Sequence, residues 1–280
     1  VQLALSWPAS LFFSQASLSV QPRTPDAENI LILAGNHKIR LVESSTRQAT
    51  VLLKHGFPSD FFDSEITARQ QATSLELPVP EIQTIAKDGT WFVEAMIQGT
   101  PLNRLADPEK ISLGRRTAWE ALRVLVEKTG RSIPISAYLD HLLSTIQRSN
   151  AAVPMLDEDQ RNHVSAITHA LYEEAGSGLA GKQESLLISQ THGDFQPANI
   201  LLDDTKIWLI DWEYGAERQS VYDLLTLACN TRHPAGLADR LLQFERDIST
   251  FSNDLPERWP GMQFDSIPGR HRSAAILLLE

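Results

Sequence analysis

The stretch that decides the fold runs from residue 191 to residue 202 and reads Thr-His-Gly-Asp-Phe-Gln-Pro-Ala-Asn-Ile-Leu-Leu. A second stretch, residues 207–215, reads Ile-Trp-Leu-Ile-Asp-Trp-Glu-Tyr-Gly. In each, apolar residues of strand-forming type flank polar side chains. We therefore expect a short apolar hairpin that brings Asp194, Asn199 and Asp211 together.

These three side chains suit phosphoryl transfer from ATP. A carboxylate must orient the attacking hydroxyl group and accept its proton, and Asp194 is the candidate. Oxygen ligands must hold magnesium on the phosphates, and Asn199 and Asp211 offer an amide oxygen and a carboxylate. The two stretches therefore predict ATP and magnesium as the cofactors.

The spacing of these residues resembles a known family. His192-x-Asp194-x-x-x-x-Asn199, with Asp211 twelve residues after Asn199, is similar to the catalytic and metal loops of the aminoglycoside phosphotransferase and choline kinase family of small-molecule kinases. The resemblance implies that Asp194 is the catalytic base and that Asn199 and Asp211 bind magnesium. It also implies that His192 is structural and that Asp223 braces the catalytic loop through its backbone.

The resemblance extends over about residues 30 to 230 and implies a bilobal, protein kinase-like α+β fold. We expect a small antiparallel-sheet lobe at residues 1–97 and a larger, mainly helical lobe at residues 98–280. Hydrophobic patterning predicts strands at residues 30–33, 39–42, 49–54, 82–85, 91–96, 186–189 and 208–210. It predicts helices at residues 61–75, 107–129, 135–147, 157–175 and throughout 221–251.

The first lobe supplies the expected nucleotide contacts. Lys54 resembles the lysine that contacts the ATP phosphates, and Glu65, on the following helix, is its expected carboxylate partner. Gly35 marks the turn that covers the nucleotide. The run that contains Glu94 and Met96 resembles the hinge between the lobes, where backbone groups would hydrogen-bond adenine.

The acceptor is expected to be a small molecule that bears a hydroxyl group, such as an aminoglycoside, an amino sugar, choline or a similar alcohol. Glu213, Trp212 and Tyr214 could bind a cationic acceptor through charge and through aromatic faces. The resemblance implies that acceptor specificity comes from the helices after Asp223, which include Arg232. The sequence of those helices does not predict which acceptor binds.

Composition limits the partners. The chain has 280 residues and a formal net charge of −10, which argues against nucleic acid and suits a neutral or cationic substrate. Its one cysteine, Cys229, cannot form an internal disulfide, so we expect the reducing cytoplasm. The apolar segment 3–13 contains Pro8 and is too short to span a bilayer, so we expect no membrane insertion. The first residue is not Met and the last residues, 276–279, are apolar, as in a segment of a longer polypeptide.

Two other classes of function compete with the kinase. One is a non-catalytic kinase fold that serves as a binding or regulatory module. The other is a metal-dependent phosphoesterase, which also uses fragments such as Gly-Asn-His at residues 35–37 and Gly-Asp at 193–194. Here these fragments occur in the reverse order. A protein kinase is disfavoured because nothing after Asp211 resembles a peptide-binding activation segment.

Overall fold

The structure is a computed structural model that describes residues 29–35, 37–177, 184–204, 206–251, 255–256 and 258–280. The apolar segment 3–13 and Asn36 lie outside these residues. The described chain forms a five-stranded antiparallel sheet followed by a larger, mainly helical part with two small sheets. This confirms the α+β architecture expected from the sequence. The division into lobes at residues 97 and 98 stays a prediction.

The five-stranded sheet has the order β1-β2-β3-β5-β4, and each neighbouring pair is antiparallel. Its strands are β1 (Ile30–Ala34), β2 (Lys38–Glu43), β3 (Gln48–Leu53), β4 (Ile82–Ile85) and β5 (Trp91–Ala95). Side chains along a strand point to opposite faces in turn, so directly paired residues share a face. Lys38 pairs with Leu53, and Arg40 pairs with Val51. The two cations of β2 therefore lie on the same face as buried residues of β3.

Helix α1 (Asp60–Ser74) packs against that face. Phe62 and Ile66 of the helix form a buried cluster with Val51 and Phe92 of the sheet. The rings of Phe62 and Phe92 lie 5.1 Å apart between centroids. This cluster is small, so it needs further interactions to fix the helix on the sheet.

Buried charges supply those interactions. Arg69 of α1 is only 2% exposed, and its Nη1 donates to Glu94 Oε2 at 2.6 Å. Its Nη2 donates to the carbonyl oxygen of Pro80. Arg40 Nε lies 2.8 Å from Glu94 Oε1, so both oxygens of this carboxylate have a cationic partner. Since a buried charge is costly unless it is paired, this network holds α1 in one position on β5.

The remaining helices are α2 (Pro108–Thr129), α3 (Ile135–Ala152), α4 (Glu158–Gly176), α5 (Tyr222–Ala228), α6 (Leu237–Arg246) and α7 (Ile267–Leu279). Their beginnings follow capping rules. Asp107 accepts from the backbone N–H of Glu109, with Pro108 at the first helical position. Asp157 and Gln160 form a reciprocal capping box at the start of α4.

Two small antiparallel sheets carry the motifs identified in the sequence. Their orders are β10-β9-β6 and β11-β8-β7. Their strands are β6 (Thr100–Pro101), β7 (Arg131–Pro134), β8 (Ser185–Thr191), β9 (Ile200–Asp203), β10 (Lys206–Leu209) and β11 (Ala216–Gln219). Asn199 directly precedes β9, and Asp211 follows shortly after β10. Because Ile200 pairs with Leu209, both polar residues lie at the same end of this hairpin.

The largest apolar core lies behind this hairpin. Trp119, Leu122 and Leu125 of α2 are buried in one cluster with Phe195 and Trp212, which belong to the two motif stretches. The rings of Trp119 and Phe195 lie 4.9 Å apart. The polar loops are thus anchored in the largest buried apolar cluster of the described residues.

The structure corrects several boundaries. Strand β3 ends at Leu53, so Lys54 lies just beyond it. The helix expected throughout residues 221–251 is interrupted at residues 229–236, where Asn230 and Gly236 have positive φ angles of 47° and 74°. Strands β7 and β11 were not predicted, because their short polar sequences lack apolar alternation. No helix of the described chain is long and apolar enough to cross a membrane.

Arg69→Met should lower the free energy of unfolding by about 3 kcal/mol, because it leaves the Glu94 carboxylate buried with one partner fewer. Urea unfolding followed by tryptophan fluorescence measures the change. Arg123→Met is the matched control, since Arg123 pairs with Glu120 and Glu127 in exposed positions and should matter little. Equal effects of the two substitutions would show that the Arg69 network does not hold α1.

Candidate active site

The loop between β8 and the 197–199 turn is held by one buried carboxylate. Asp223, in the first turn of α5, accepts from the backbone N–H of His192 at 2.7 Å and of Gly193 at 3.0 Å. Burial raises the pKa of Asp223, and these two hydrogen bonds oppose that rise. Asp223 is thus joined to the loop through backbone groups, in the arrangement that the resemblance implies for it.

His192 is buried and fixes the loop from the other side. Its Nε2 lies 2.9 Å from the carbonyl oxygen of Ile210, which accepts only if Nε2 carries the proton. Nδ1 is then free to accept from the backbone N–H of Asp194 at 3.3 Å. Burial lowers the pKa of His192, which favours this neutral form. Its ring centroid lies 4.5 Å from that of Trp212, with the rings tilted by 45°, so His192 connects the two motif stretches.

Gly193 makes the close approach of these stretches achievable. Its φ of 83° lies in the left-handed region that favours glycine. A Cβ atom at this position would lie 1.9 Å from the carbonyl oxygen of Tyr214. No side chain fits there without moving one loop away from the other.

The carboxylate of Asp194 is nearly buried and is oriented by three donors. Asn199 Nδ2 donates to Oδ2 at 3.1 Å and to the Asp194 carbonyl oxygen at 2.9 Å. Gln196 Nε2 lies 3.1 Å from Oδ2, and Arg232 Nε donates to Oδ1. Since Asn199 uses its NH2 group here, its side-chain oxygen is left as an acceptor.

Asp211 lies next to Asn199, because the backbone N–H of Ile210 donates to the Asn199 carbonyl oxygen at 3.1 Å. Its φ is 69°, a conformation that residues other than glycine seldom adopt and that often marks a functional constraint. Burial disfavours the charged form, but the ammonium of Lys38 holds the pKa of Asp211 below its usual value. Asp211 is therefore an ionised carboxylate at neutral pH.

Lys38 of β2 places its ammonium among three carboxylates. Nζ lies 2.8 Å from Glu65 Oε2, 2.7 Å from Asp211 Oδ1 and 2.8 Å from Glu213 Oε2. Burial by itself lowers the pKa of a lysine, but the charges of Glu65 and Asp211 raise the pKa of Lys38 above its usual value. The sheet, α1 and the loop after β10 meet at this one cation.

The expected pair of Lys54 and Glu65 is wrong in this structure, because Glu65 pairs with Lys38. Lys54 Nζ instead donates to the Gly35 carbonyl oxygen at 2.6 Å. The reason is strand alternation, since Lys38 pairs directly with Leu53 and so shares its face. The apolar residues Ala49 and Val51 could have indicated this from the sequence. They alternate at odd positions along β3, so an even position such as Lys54 would point to the opposite face.

A cavity of about 280 Å³ opens beside these groups, between β1 to β3 and the β9–β10 hairpin. Its apolar walls include Leu33, Val42, Ala49 and Leu201. Its charged lining residues include Asp211 and Glu65, together with Arg40, Arg69 and Glu94. An apolar cleft with a few convergent polar groups is the usual form of a small-molecule site.

A larger cavity, of about 960 Å³, lies along α2 and is lined by residues such as Arg116 and Arg258. None of Asp194, Asn199 and Asp211 lines it. Asp211 lines the smaller cavity, which is therefore the candidate active site, because the side chains that line a cavity decide the assignment and its volume does not.

The expected hinge contacts need correction. Met96 lines the 280 Å³ cavity, but its backbone N–H donates to the Arg47 carbonyl oxygen at 2.9 Å. The Ala95 N–H donates to Glu81, and the Glu94 side chain is held by Arg40 and Arg69. The N–H groups of residues 95 and 96 are therefore already used within the protein. The backbone N–H of Gly35 in the covering turn donates to Lys38 at 2.9 Å.

The proposed acceptor residues divide into two kinds. Trp212 is fully buried and donates its indole N–H to the Leu209 carbonyl oxygen at 3.0 Å, so it packs the loop. Glu213 is buried against Lys38 and His37, and it is not open to an acceptor. Tyr214 is half-buried, and the Arg232 guanidinium lies 4.9 Å from its ring centroid. Of the three, Tyr214 is therefore the one that contacts the cation paired with Asp194.

The described residues contain no group of three or more His, Cys, Asp or Glu side chains placed to hold a metal ion. These residues therefore give no support to the hypothesis of a metal-dependent phosphoesterase. Asn199 and Asp211 form a smaller set of two oxygen ligands, which is the number that magnesium usually takes from a protein when phosphates complete its shell.

Comparison with family models finds no match, and comparison with curated proteins finds none either. Solved structures do match. A thermostable mutant of aminoglycoside phosphotransferase APH(4)-Ia matches with a TM-score of 0.55 and 16% identity, over 88% of this chain and 84% of that chain. Its ternary complex with ADP and hygromycin B matches with a TM-score of 0.53 and 16% identity, over 88% and 83%.

A choline/ethanolamine kinase family protein from Mesorhizobium loti matches with a TM-score of 0.46 and 18% identity, over 86% of this chain and 75% of that chain. At these identities the comparisons concern the fold. The APH(4)-Ia structures show that the chain has the fold of a small-molecule phosphotransferase, which confirms the kinase-like fold expected from the sequence.

Gly193→Ala should lower the free energy of unfolding more than Gly56→Ala does. Both glycines have a φ near 83°, but a Cβ at Gly56 would meet nothing within 4 Å. The clash with Tyr214 should cost about 1–3 kcal/mol beyond the backbone strain that the two share. Guanidinium unfolding of both variants gives the difference, and a difference near zero would contradict the close packing of the loops.

Proposed function

We propose that the chain transfers the γ-phosphoryl group of ATP to a hydroxyl group of a small molecule. The observation that supports this most is the meeting of Asp194, Asn199 and Asp211 at one end of the β9–β10 hairpin, beside the 280 Å³ cavity. Phosphoryl transfer depends mainly on positioning and on charge, and these groups are held rigidly by the core behind them. The fold is shared with phosphotransferases, which supports the same proposal.

Asp194 is the proposed catalytic base. Its carboxylate orients the acceptor hydroxyl and takes the proton as the acceptor oxygen bonds to the γ-phosphorus. The bond from that phosphorus to the bridging oxygen breaks, and its electron pair leaves with ADP. The hydrogen bonds from Asn199 and Gln196 keep the carboxylate in one orientation.

Asn199 and Asp211 are the proposed magnesium ligands. Their free oxygens fit this ion, because Asp211 is ionised and one-third exposed and Asn199 keeps its side-chain oxygen. When bound, magnesium neutralises charge on the donor phosphates. The apolar part of the cavity would receive the adenine ring.

Lys38 takes the role that the sequence assigned to Lys54. Glu65 holds its ammonium against Asp211, and since both carboxylates line the cavity, the ammonium would contact the donor phosphates there. A lysine ammonium is a compact charge that suits this purpose, and its buried partner limits its movement. The β2 strand would therefore supply the cation that the resemblance places on β3.

Asp194→Asn should reduce ADP formation about 100-fold or more, because it removes the proton acceptor. ATP binding should remain, since Asp194 lies outside the residues that line the cavity. The assay is acceptor-dependent ADP release across amino sugars, aminoglycosides, choline, neutral sugars and hydroxy acids. Asp247→Asn is the control, at an exposed turn. Loss of ATP binding in Asp194→Asn would contradict its role.

Lys38→Met should weaken ATP binding and reduce turnover about 100-fold, whereas Lys54→Met should leave both nearly unchanged. Lys38→Arg is the control for folding, because it keeps a cation among the carboxylates but replaces the ammonium group. Binding of a fluorescent ATP analogue and ADP release are the two readouts. A large loss in Lys54→Met with a small one in Lys38→Met would restore the assignment made from the sequence.

A further inference from the structure

The guanidinium of Arg232 pairs with the proposed catalytic carboxylate of Asp194. Arg232 lies in the segment between α5 and α6, and its Nε donates to Asp194 Oδ1. Its guanidinium lies 4.9 Å from the Tyr214 ring centroid, which orients the plane of the group. The side chain is 40% exposed, so it borders the solvent from which an acceptor must arrive.

Arg232 has hydrogen-bonding capacity to spare. The bond to Asp194 uses Nε, and within the described residues neither of its two Nη groups donates to the protein. A guanidinium with free amino groups is a preferred partner for carboxylates and phosphates, which it can bind through two parallel hydrogen bonds. The site beside Asp194 is therefore built to receive an oxyanion.

The nearby carboxylates give a cationic acceptor little to bind. Glu213 is buried on Lys38, and Asp194 itself is paired with Arg232. One face of the Tyr214 ring, where a cation could stack, is already occupied by the Arg232 guanidinium. A cationic acceptor would have to bring its charge close to Arg232, and like charges repel.

We propose that the acceptor carries an oxyanion, a carboxylate or a phosphate, in addition to the hydroxyl group that is phosphorylated. The oxyanion binds Arg232 and draws it away from Asp194, which frees the carboxylate to accept the hydroxyl proton. Binding of the correct acceptor thus prepares the catalytic base. This inference rests on the proposed phosphotransferase function and names its substrate class.

Two matched series of acceptors test the inference. The first is glycerate, glycerol 3-phosphate, glycerol and 3-amino-1,2-propanediol, and the second is glucuronate, glucose 6-phosphate, glucose and glucosamine. Calorimetric titration with AMP-PNP and magnesium present gives binding, and ADP release gives kcat/KM. The anionic members of at least one series should exceed the neutral member by about tenfold, and the amine should be weakest.

Substitution of Arg232 separates its role from a structural one. Arg232→Ala should abolish the preference for anions mainly through KM, and Arg232→Lys should retain part of it. Arg131→Ala is the control, since Arg131 forms an exposed ion pair with Glu217. Preference for the amines, or a preference for anions that persists in Arg232→Ala, would overturn the inference.

The two proposals fail differently. Binding of AMP-PNP without binding of any acceptor in either series would overturn the oxyanion inference and leave the phosphotransferase proposal standing. If the carboxylates bind but the phosphates do not, or the reverse, the inference holds and its oxyanion is identified. Failure to bind AMP-PNP would overturn both proposals.

Discussion

The ammonium of Lys38 is the point at which the two parts of the protein meet. It contacts Glu65 on α1, Asp211 after the β9–β10 hairpin and Glu213 beyond it. A buried carboxylate without a cation is strongly disfavoured, and the Lys38 ammonium contacts all three of these acids. The ionised state of Asp211 and the link between α1 and the loop after β10 follow from this contact, while the Arg69 network holds α1 on β5.

The loops on the other side of the cavity depend on apolar packing. Trp212 and Phe195 belong to the polar stretches, yet both are fully buried in the core that α2 completes. His192 and Asp223 then fix the backbone of these loops through four hydrogen bonds. Asp194 is thereby held in one defined position, beside the more exposed Arg232, as a group that must meet a substrate requires.

Much of this arrangement could be predicted from the sequence, because Asp194, Asn199 and Asp211 are close along the chain and joined by one hairpin. Local spacing then determines geometry. The lysine could not be placed in the same way, since Lys38 and Lys54 both lie near the end of the β2–β3 hairpin and only strand alternation separates them. Contacts such as Arg232 with Asp194 join residues far apart in an irregular segment, where no periodicity guides prediction.

A crystal structure with AMP-PNP and magnesium tests the central claim most directly. We predict Lys38 Nζ in contact with the donor phosphates while still paired with Glu65, and one magnesium ion bound by Asn199 and Asp211. We also predict adenine in contact with Ala49 and Leu201, which both line the cavity. Phosphates bound by Lys54, with Lys38 left among its carboxylates, would contradict the account.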